Sequence, residues 1–273
     1  PILSGLVGSE MCIRDSLMAA CYNELKPRIG EKDSLYKQLG IYEILVNEYP
    51  KKMYFIQLGG IYGQLDRELD YMITLKAAYQ KNLLDKQSEY LALAQLLLLN
   101  KNPYWAAKVL EDGRLKKVTI VDEKTGEEEI VSVVKDNEKN LKLLADASRT
   151  AQEIDLAIPL MEKAAKLSDA GQTFIVLGSL YLLEDRIEEA VDALEQGLKK
   201  GKIKNPSQAR LTLGQAHFEL QNFEQAKKEF RIAARDDDKV IKKTANSWIK
   251  YTENEQIRVK NIGLRRDYIQ NQG

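Results

Sequence analysis

Several residue types that mark particular chemistries are scarce in this chain. Its 273 residues include one histidine, two cysteines and six prolines. A single histidine excludes a histidine-rich metal site, and no Cys-x-x-Cys spacing indicates a zinc or redox site. Few prolines are compatible with a mainly helical chain. We therefore expect no cofactor and no metal centre.

An excess of one charge and long apolar runs are also missing. The 41 basic residues balance 41 acidic ones, whereas nucleic-acid binding usually brings a basic excess. The longest apolar run, Leu91–Leu99, is interrupted by Gln95 and is too short to span a bilayer. Hydrophobic residues make up 44% and charged residues 30%, which is typical of a folded chain. We expect neither a nucleic-acid partner nor a membrane span in this fragment.

The most prominent pattern is an internal repeat. A large apolar residue followed by a small one recurs five times, with the small residue at Gly59, Ala94, Ala145, Gly178 and Gly214. The intervals are 35, 51, 33 and 36 residues. After each small residue a second apolar seam follows, and the small residue allows two helix backbones to approach closely. Five copies in register predict a chain of helix pairs.

The pattern resembles the tetratricopeptide (TPR) motif, whose period is about 34 residues. That motif reads Trp-x2-Leu-Gly-x2-Tyr on a first helix and Ala-x3-Phe on a second. One copy here has Phe174, Leu177, Gly178 and Tyr181, followed by Ala190 and other seam residues. The resemblance implies an all-α fold, a TPR-type α-solenoid of antiparallel helix pairs. We expect about six repeats, the first of them partial, and a C-terminal capping helix.

The ends of the chain depart from the repeat. Residues 1–16 lack sustained periodicity and resemble translated adapter sequence, so we expect a non-native leader. A natural disordered leader is the alternative. We assign residues 17–238 to the solenoid, 239–258 to the capping helix and 259–273 to a frayed tail. On this reading any signal peptide has been lost upstream.

The 51-residue interval contains an insertion. Two β-branched runs within Val118–Val134 flank a turn rich in Asp, Lys, Gly and Glu, which predicts a β-hairpin at about 117–135. The hairpin is interpreted either as an acidic finger that contacts a partner or as a decorated surface loop, because insertions in surface loops cost little.

The resemblance also implies a binding face, because the first helices of TPR stacks line their concave surface. The outward positions are apolar at the ends of the chain and basic only in the fourth repeat, which favours a protein partner with apolar anchors, a peptide or a helix. The alternative is that several apolar members belong to the core. The assigned positions are Met53, Ile56, Ser88, Leu91, Gln95, Leu98, Lys139, Lys142, Asp146, Arg149, Gln172, Ile175, Ser179, Gln208, Leu211, Gln215 and Phe218.

Catalytic patterns are weak. His217 occupies the tyrosine position of the sixth repeat, so packing explains it. The fragments Ser34–Lys37 and Lys124–Gly126 match two motifs of serine acyl-enzymes, but Ser247–Lys250 matches the first of them equally well. We expect no enzyme, and a serine-type hydrolase remains a remote alternative.

Four phrases resemble a narrower family. Asn140–Asp146, Ala157–Ala165, Pro103–Lys108 and Trp248–Tyr251 are similar to TPR proteins of Gram-negative bacteria that are assigned to the TonB energy-transduction system. The likeness covers roughly residues 17–258. It implies an exported, periplasmic protein that assists TonB-dependent uptake of iron complexes and has TonB-system envelope proteins as partners. A cytoplasmic TPR adaptor or co-chaperone would share every repeat feature and is the alternative.

Overall fold

The computed structural model describes residues 2–121 and 128–271, with side chains from Ile13 onward except that of Val121. Within these residues the chain forms 14 α-helices and one two-stranded antiparallel sheet. The helices are α1 Ile2–Glu24, α2 Lys26–Ile29, α3 Glu31–Glu48, α4 Lys52–Gln64, α5 Glu68–Gln80, α6 Gln87–Leu99, α7 Pro103–Leu115, α8 Glu138–Thr150, α9 Ile154–Leu167, α10 Gly171–Leu183, α11 Ile187–Lys200, α12 Pro206–Glu219, α13 Phe223–Ala233 and α14 Lys239–Gln270. The strands are β1 Lys117–Val121 and β2 Glu128–Ser132.

The helices form six successive pairs followed by α14, as the repeat predicted. The first pair is α1 and α3, with the short α2 between them, and the others are α4/α5, α6/α7, α8/α9, α10/α11 and α12/α13. The chain divides into two compact units, an N-terminal unit, Pro1–Lys135, and a C-terminal unit, Asp136–Gly273. The predicted all-α TPR-type solenoid of stacked helix pairs with a small hairpin is confirmed.

The same tight turn joins the two helices of each of the last five pairs. One residue of each turn is left-handed, with φ between 53° and 64°, and the next residue donates its backbone N–H to the carbonyl five residues earlier at 2.8–3.0 Å. This bond satisfies a carbonyl at the end of the first helix. The left-handed residues recur at intervals of 35, 51, 33 and 36, which are the intervals of the small residues; they are Asp66, Lys101, Gln152, Asp185 and Gln221.

The small residues face the second helix of their own pair, as predicted. A Cβ atom added to Gly178 would lie 2.6 Å from Cγ of Leu194. The same atom on Gly214 would lie 2.5 Å from the ring of Phe230, which is fully buried. Both distances are shorter than a van der Waals contact, so the two helices approach to a distance that only glycine permits.

Two apolar clusters belong to the core of the C-terminal unit. Each joins a second helix to the first helix of the next repeat or to α14, so neighbouring repeats share one core. One cluster contains Ile175, Val191, Leu194, Ala209, Leu213 and Ala216. The other contains Leu211, Ala226, Phe230, Ala233, Ile241 and Ala245.

The insertion forms the predicted hairpin. Strands β1 and β2 pair with Lys117 opposite Ser132. Beyond β2, Val134 donates its backbone N–H to the Gly113 carbonyl at 2.9 Å, and its side chain is buried. A Cβ atom on Gly113 would lie 2.7 Å from Val134, so this valine fills the space that the glycine leaves. Residues 122–127, including Lys124–Gly126, lie outside the described residues.

The first and last helices extend past the boundaries inferred from the sequence. Helix α1 crosses residue 16 without a break, and α14 continues to Gln270, twelve residues beyond the expected end at 258. The expected fraying of the tail is therefore not seen up to Gln270. An ion pair one turn apart, Arg258 to Glu255 at 2.5 Å, and the lack of proline favour this continuation. The division of the chain into leader, solenoid, cap and tail stays a prediction.

Candidate protein-binding face

The outward positions of α4 and α6 form one row in the N-terminal unit. An ion pair, Lys52 Nζ to Glu89 Oε1 at 2.8 Å, holds the first turns of the two helices side by side. Below the row, the side chains of Phe55 and Leu93 are almost fully buried. We call the following set the N-terminal row: Met53, Gly60, Gly63, Ser88 and Gln95 are exposed, and Ile56, Leu91 and Leu98 are half-buried.

The fourth repeat supplies the basic part of the assigned face in the C-terminal unit. Lys139 and Arg149 are exposed on α8, and Lys142 and Asp146 are half-buried. Arg149 Nε lies 3.7 Å from Asp146 Oδ1, and Lys142 Nζ lies 3.7 Å from a carboxylate oxygen of Glu138. Such surface pairs are weak and exchange readily, so these basic groups are available to an acidic partner.

Glu138 itself is fixed by the repeat that follows. The Thr173 hydroxyl lies within hydrogen-bonding distance of two acceptors, Glu138 Oε1 at 3.3 Å and the Ser168 hydroxyl at 3.0 Å. A hydrogen bond from Ser168, with smaller effects of Lys142 and Thr173, lowers the pKa of the Glu138 carboxyl. The basic part of α8 is thus tied to the start of α10 through buried hydroxyl groups.

Two assigned positions are wrong, because their side chains belong to the core. Ile175 is only 9% exposed and packs with Val191 and Leu194. Leu211 is 3% exposed and packs with Phe230. Both residues face a second helix, so a partner cannot reach them on this face.

In the fifth and sixth repeats, the residue that follows each wrongly assigned position is half-buried rather than buried. Val176 and Thr212 are half-buried, and Thr212 continues the spacing of Gln208 and Gln215 on α12. A shift of one residue rotates a side chain by about 100° around a helix. The polar spacing on α12 was a usable signal for Thr212, whereas nothing in the apolar sequence of α10 distinguishes Val176 from Ile175.

The remaining assigned residues of α10 and α12 differ in whether their side chains contact other parts of the chain. Ser179 and Gln208 are exposed, and Gln215 is half-buried. The side-chain oxygen of Gln172 accepts the backbone N–H of Lys204 at 2.9 Å, so it holds a loop. Phe218 packs against α14, as described below. Exposed binding positions in these two repeats are therefore few and polar.

A polar network that sequence reasoning missed occurs in the same form in two repeats. Tyr181 donates its hydroxyl to Glu162 at 2.7 Å, and the Arg186 guanidinium lies 4.6 Å from the tyrosine ring centre and pairs with Glu189 at 2.5 Å. In the second repeat the corresponding residues are Tyr62, Glu43, Arg67 and Asp70. Burial first, and then the hydrogen bond to the glutamate, raises the pKa of each tyrosine to about 12. The shared spacing of 19 residues from glutamate to tyrosine was the available signal.

His217 takes the place of the tyrosine in the sixth repeat. It is 8% exposed, and its Nε2 lies 3.8 Å from Glu195 Oε1. Burial lowers the pKa of the imidazole, so the ring is neutral near pH 7. Its Nδ1 is buried without a hydrogen-bond partner in the described part of the chain. The residue is packed into the core, in agreement with its position in the repeat.

The fragments that resemble serine enzymes are engaged in helix structure. Ser34 is buried; its hydroxyl donates to the Tyr22 carbonyl at 2.6 Å and accepts from Gln38 at 3.0 Å. Ser247 donates to the Lys243 carbonyl at 3.1 Å. Neither hydroxyl donates to a side chain that could act as a base.

Two further features concern the described residues, 2–121 and 128–271. In those ranges no group of three or more His, Cys, Asp or Glu side chains is placed to hold a metal ion. No helix in the same ranges is long and apolar enough to cross a bilayer.

The fold is a TPR-type α-solenoid, and solved structures of TPR proteins have a similar fold. It is similar to YrrB, described as a TPR protein with an unusual peptide-binding site, with 12% identity, a TM-score of 0.55, and 76% of this chain and 97% of YrrB covered. It is also similar to MamA, with 15% identity, a TM-score of 0.51, and 67% of this chain and 89% of MamA covered. At these identities the likeness shows the fold alone.

Comparisons of the sequence with known proteins match only part of the chain. No protein-family model matches the chain. A segment of 113 residues, 40% of this chain, is 32% identical to the CTR9 homolog of Arabidopsis thaliana. The match spans only 10% of that protein, so it carries nothing about the function of the whole plant protein.

Proposed function

We propose that the protein is a non-enzymatic protein-interaction scaffold that binds a peptide or helix with apolar anchors on its first helices. The N-terminal row carries the proposal. Its side chains are apolar or uncharged at every position, and Met53 is 59% exposed above a closed core. An exposed apolar strip on a rigid helical surface is a recognised way to dock an amphipathic helix or an extended peptide. YrrB is described as having a peptide-binding site, which is consistent with such a use of the fold.

Cross-linking capture tests this proposal. The tagged full-length gene product is cross-linked in a Gram-negative host, and the trapped proteins are identified by mass spectrometry. Met53→Glu and Leu91→Glu place a charge in the N-terminal row, and we expect both to abolish capture of the specific partner. Ile73→Glu is the matched control, because Ile73 is 52% exposed on the second helix α5. Equal loss in the control, or capture unaffected by the row variants, would remove the assignment of this face.

We further propose that the scaffold acts in the cell envelope, as an accessory to TonB-dependent transport. This part rests on the four phrases that resemble TonB-associated TPR proteins. In the same capture experiment it predicts TonB-system or other periplasmic proteins, and partner loss with Lys142→Glu if the basic part of α8 contributes. Recovery of cytoplasmic chaperones or regulators would replace the envelope assignment with that of a cytoplasmic adaptor and leave the scaffold proposal in place.

A further inference from the structure

Helix α14 is packed on one side only. Ile241 and Ala245 are buried among the core residues of α13, and the indole of Trp248 stacks on Phe230 with ring centres 5.5 Å apart. The first helices α4, α6, α8, α10 and α12 each pack against a second helix of their own pair. Among the described elements, α14 packs chiefly on α13 and has no second helix of its own. One side of a helix in the stacked series is therefore open.

The open side of α14 forms a groove of about 670 Å³. Its lining residues lie on one face over about three turns, a length of about 18 Å. Val240 is 72% exposed and Tyr251 54%, and the ring of Tyr251 lies 5.2 Å from that of Phe218 on α12. The complete lining is Lys239, Val240, Lys243, Thr244, Ser247, Trp248 and Tyr251.

Positive charge lies on this groove toward the start of the helix. Between residues 239 and 251 the helix has four lysines and no acidic residue, and Lys239 and Lys243 line the groove itself. No ion pair involves these four lysines within the described ranges. The aspartates just before the helix are engaged at its start: Asp238 accepts the N–H groups of Val240 and Ile241, and Asp236 accepts that of Asp238.

We propose that this groove binds an amphipathic helix of a partner protein, with an apolar stripe flanked by aspartate or glutamate. The apolar stripe would cover Val240, Trp248 and Tyr251, and the flanking carboxylates would pair with Lys239 and Lys243. The open position in the series of helices explains why the occupant is a helix, and the lysines determine its charge. A second copy of α14 would bring a second set of lysines into the groove, so a copy of this chain fits less well. The inference concerns the C-terminal unit and is independent of the N-terminal row.

Fluorescence of Trp248 tests the proposal directly. The chain has two tryptophans, so the Trp105→Phe variant of the full chain leaves Trp248 as the reporter. The probe is a capped helical peptide of about 14 residues, roughly four turns, with leucine on one face and glutamate on both flanks. The comparison peptide has lysine in place of every glutamate. We expect a saturable blue shift with the glutamate peptide, weakened by salt, and none with the lysine peptide.

Charge variants distinguish this docking from general attraction. Lys243→Glu should weaken binding of the glutamate peptide by about tenfold or more and permit binding of the lysine peptide. Lys250→Glu, an exposed change on the same helix outside the groove, should leave binding unchanged. No saturable shift, or equal weakening by the two variants, would overturn the proposal. So would a concentration-dependent blue shift without peptide that coincides with a dimer in sedimentation velocity, since a second copy would then fill the groove.

Discussion

Glycine at the small position sets how closely two helices approach, and Gly178 tests this. A Cβ atom there would lie 2.6 Å from Leu194 and 3.2 Å from the Ala190 carbonyl. We expect Gly178→Leu to lower the free energy of unfolding by about 1–3 kcal/mol, because it overpacks a closed seam. Thermal and denaturant unfolding would measure the loss, and an unchanged transition would contradict the assigned register.

The neighbouring Gly59 and Gly60 should respond to alanine in opposite directions. A Cβ atom on Gly59 would lie 2.8 Å from the Tyr71 ring, whereas one on Gly60 would meet nothing within 4 Å. Gly59→Ala should cost about 1 kcal/mol through overpacking, and Gly60→Ala should add about 0.5–1 kcal/mol through helix propensity. Denaturant unfolding of the two variants measures the contrast. A shift of the same sign in both would show that packing does not distinguish the two positions.

The buried tyrosine network predicts a pH dependence. The pKa of Tyr181 is raised from its ordinary 10.0 to about 12, so between these values the folded chain keeps a proton that the unfolded chain loses. The resulting stability is present below pH 10 and is lost as pH rises toward 12. We expect wild type to exceed Tyr181→Phe in stability below pH 10, and the difference to shrink above it.

The control for this titration is Tyr268→Phe, because Tyr268 is 63% exposed on α14. Its stability should follow that of wild type across the same pH range in denaturant unfolding. A constant difference between wild type and Tyr181→Phe would show that the hydroxyl of Tyr181 does not couple its titration to folding.

At the residue scale, the sequence predicted the small residues correctly. It did not predict which face of a helix an apolar side chain occupies. Gly178 and Gly214 were recognisable because the repeat requires a small side chain at that point. Ile175 and Leu211 were placed outward although they face a second helix. An error of one residue corresponds to about 100° on a helix, and an apolar sequence such as that of α10 gives no polar marker to correct it.

At the scale of elements, the hairpin and its base should contribute differently to stability. Val134 is buried against Gly113, while Ile130 in β2 is 71% exposed. Replacing residues 118–131 with an Asn-Gly turn should leave the N-terminal unit nearly as stable, because Lys117 and Ser132 are already opposite each other. Val134→Ala should cost about 2 kcal/mol through lost apolar burial.

Denaturant unfolding compares the two hairpin variants, and capture of the partner decides the functional role. A large loss of stability on replacing 118–131 would show that the strands support the helices. If the replacement left partner capture intact, the acidic-finger interpretation would be excluded, and the hairpin would be a surface decoration.

Helices and strands were predictable where a pattern of neighbouring residues in the sequence specifies them. The helix pairs follow from apolar periodicity, and the hairpin from two β-branched runs around a turn. The end of α14 was not predictable in this way, because the side chains from Lys260 to Gln270 are all exposed and no buried apolar face marks where the helix ends. The link from Tyr181 to Glu162 was also missed, since it joins two helices and requires the packing to be known.

At the scale of the whole molecule, two units built from the same repeat carry different surfaces. The N-terminal row is apolar or uncharged at every position, whereas the assigned positions of α8 are three basic residues and one acidic residue, Asp146. The repeat fixes how each pair folds, and the outward side chains are free to differ because no core contact restrains them. The fold was therefore predictable from the sequence. The identity of the partner depends on surface residues that the repeat does not constrain.

Site-specific photo-cross-linking tests the central claim that the first helices bind the partner. A photoreactive phenylalanine analogue is introduced at Gln95, exposed in the N-terminal row, and separately at Ile73, exposed on the second helix α5. In cells that express the full-length protein we expect a discrete cross-linked partner from position 95 and none from position 73. A partner that cross-links only from position 73 would contradict the account.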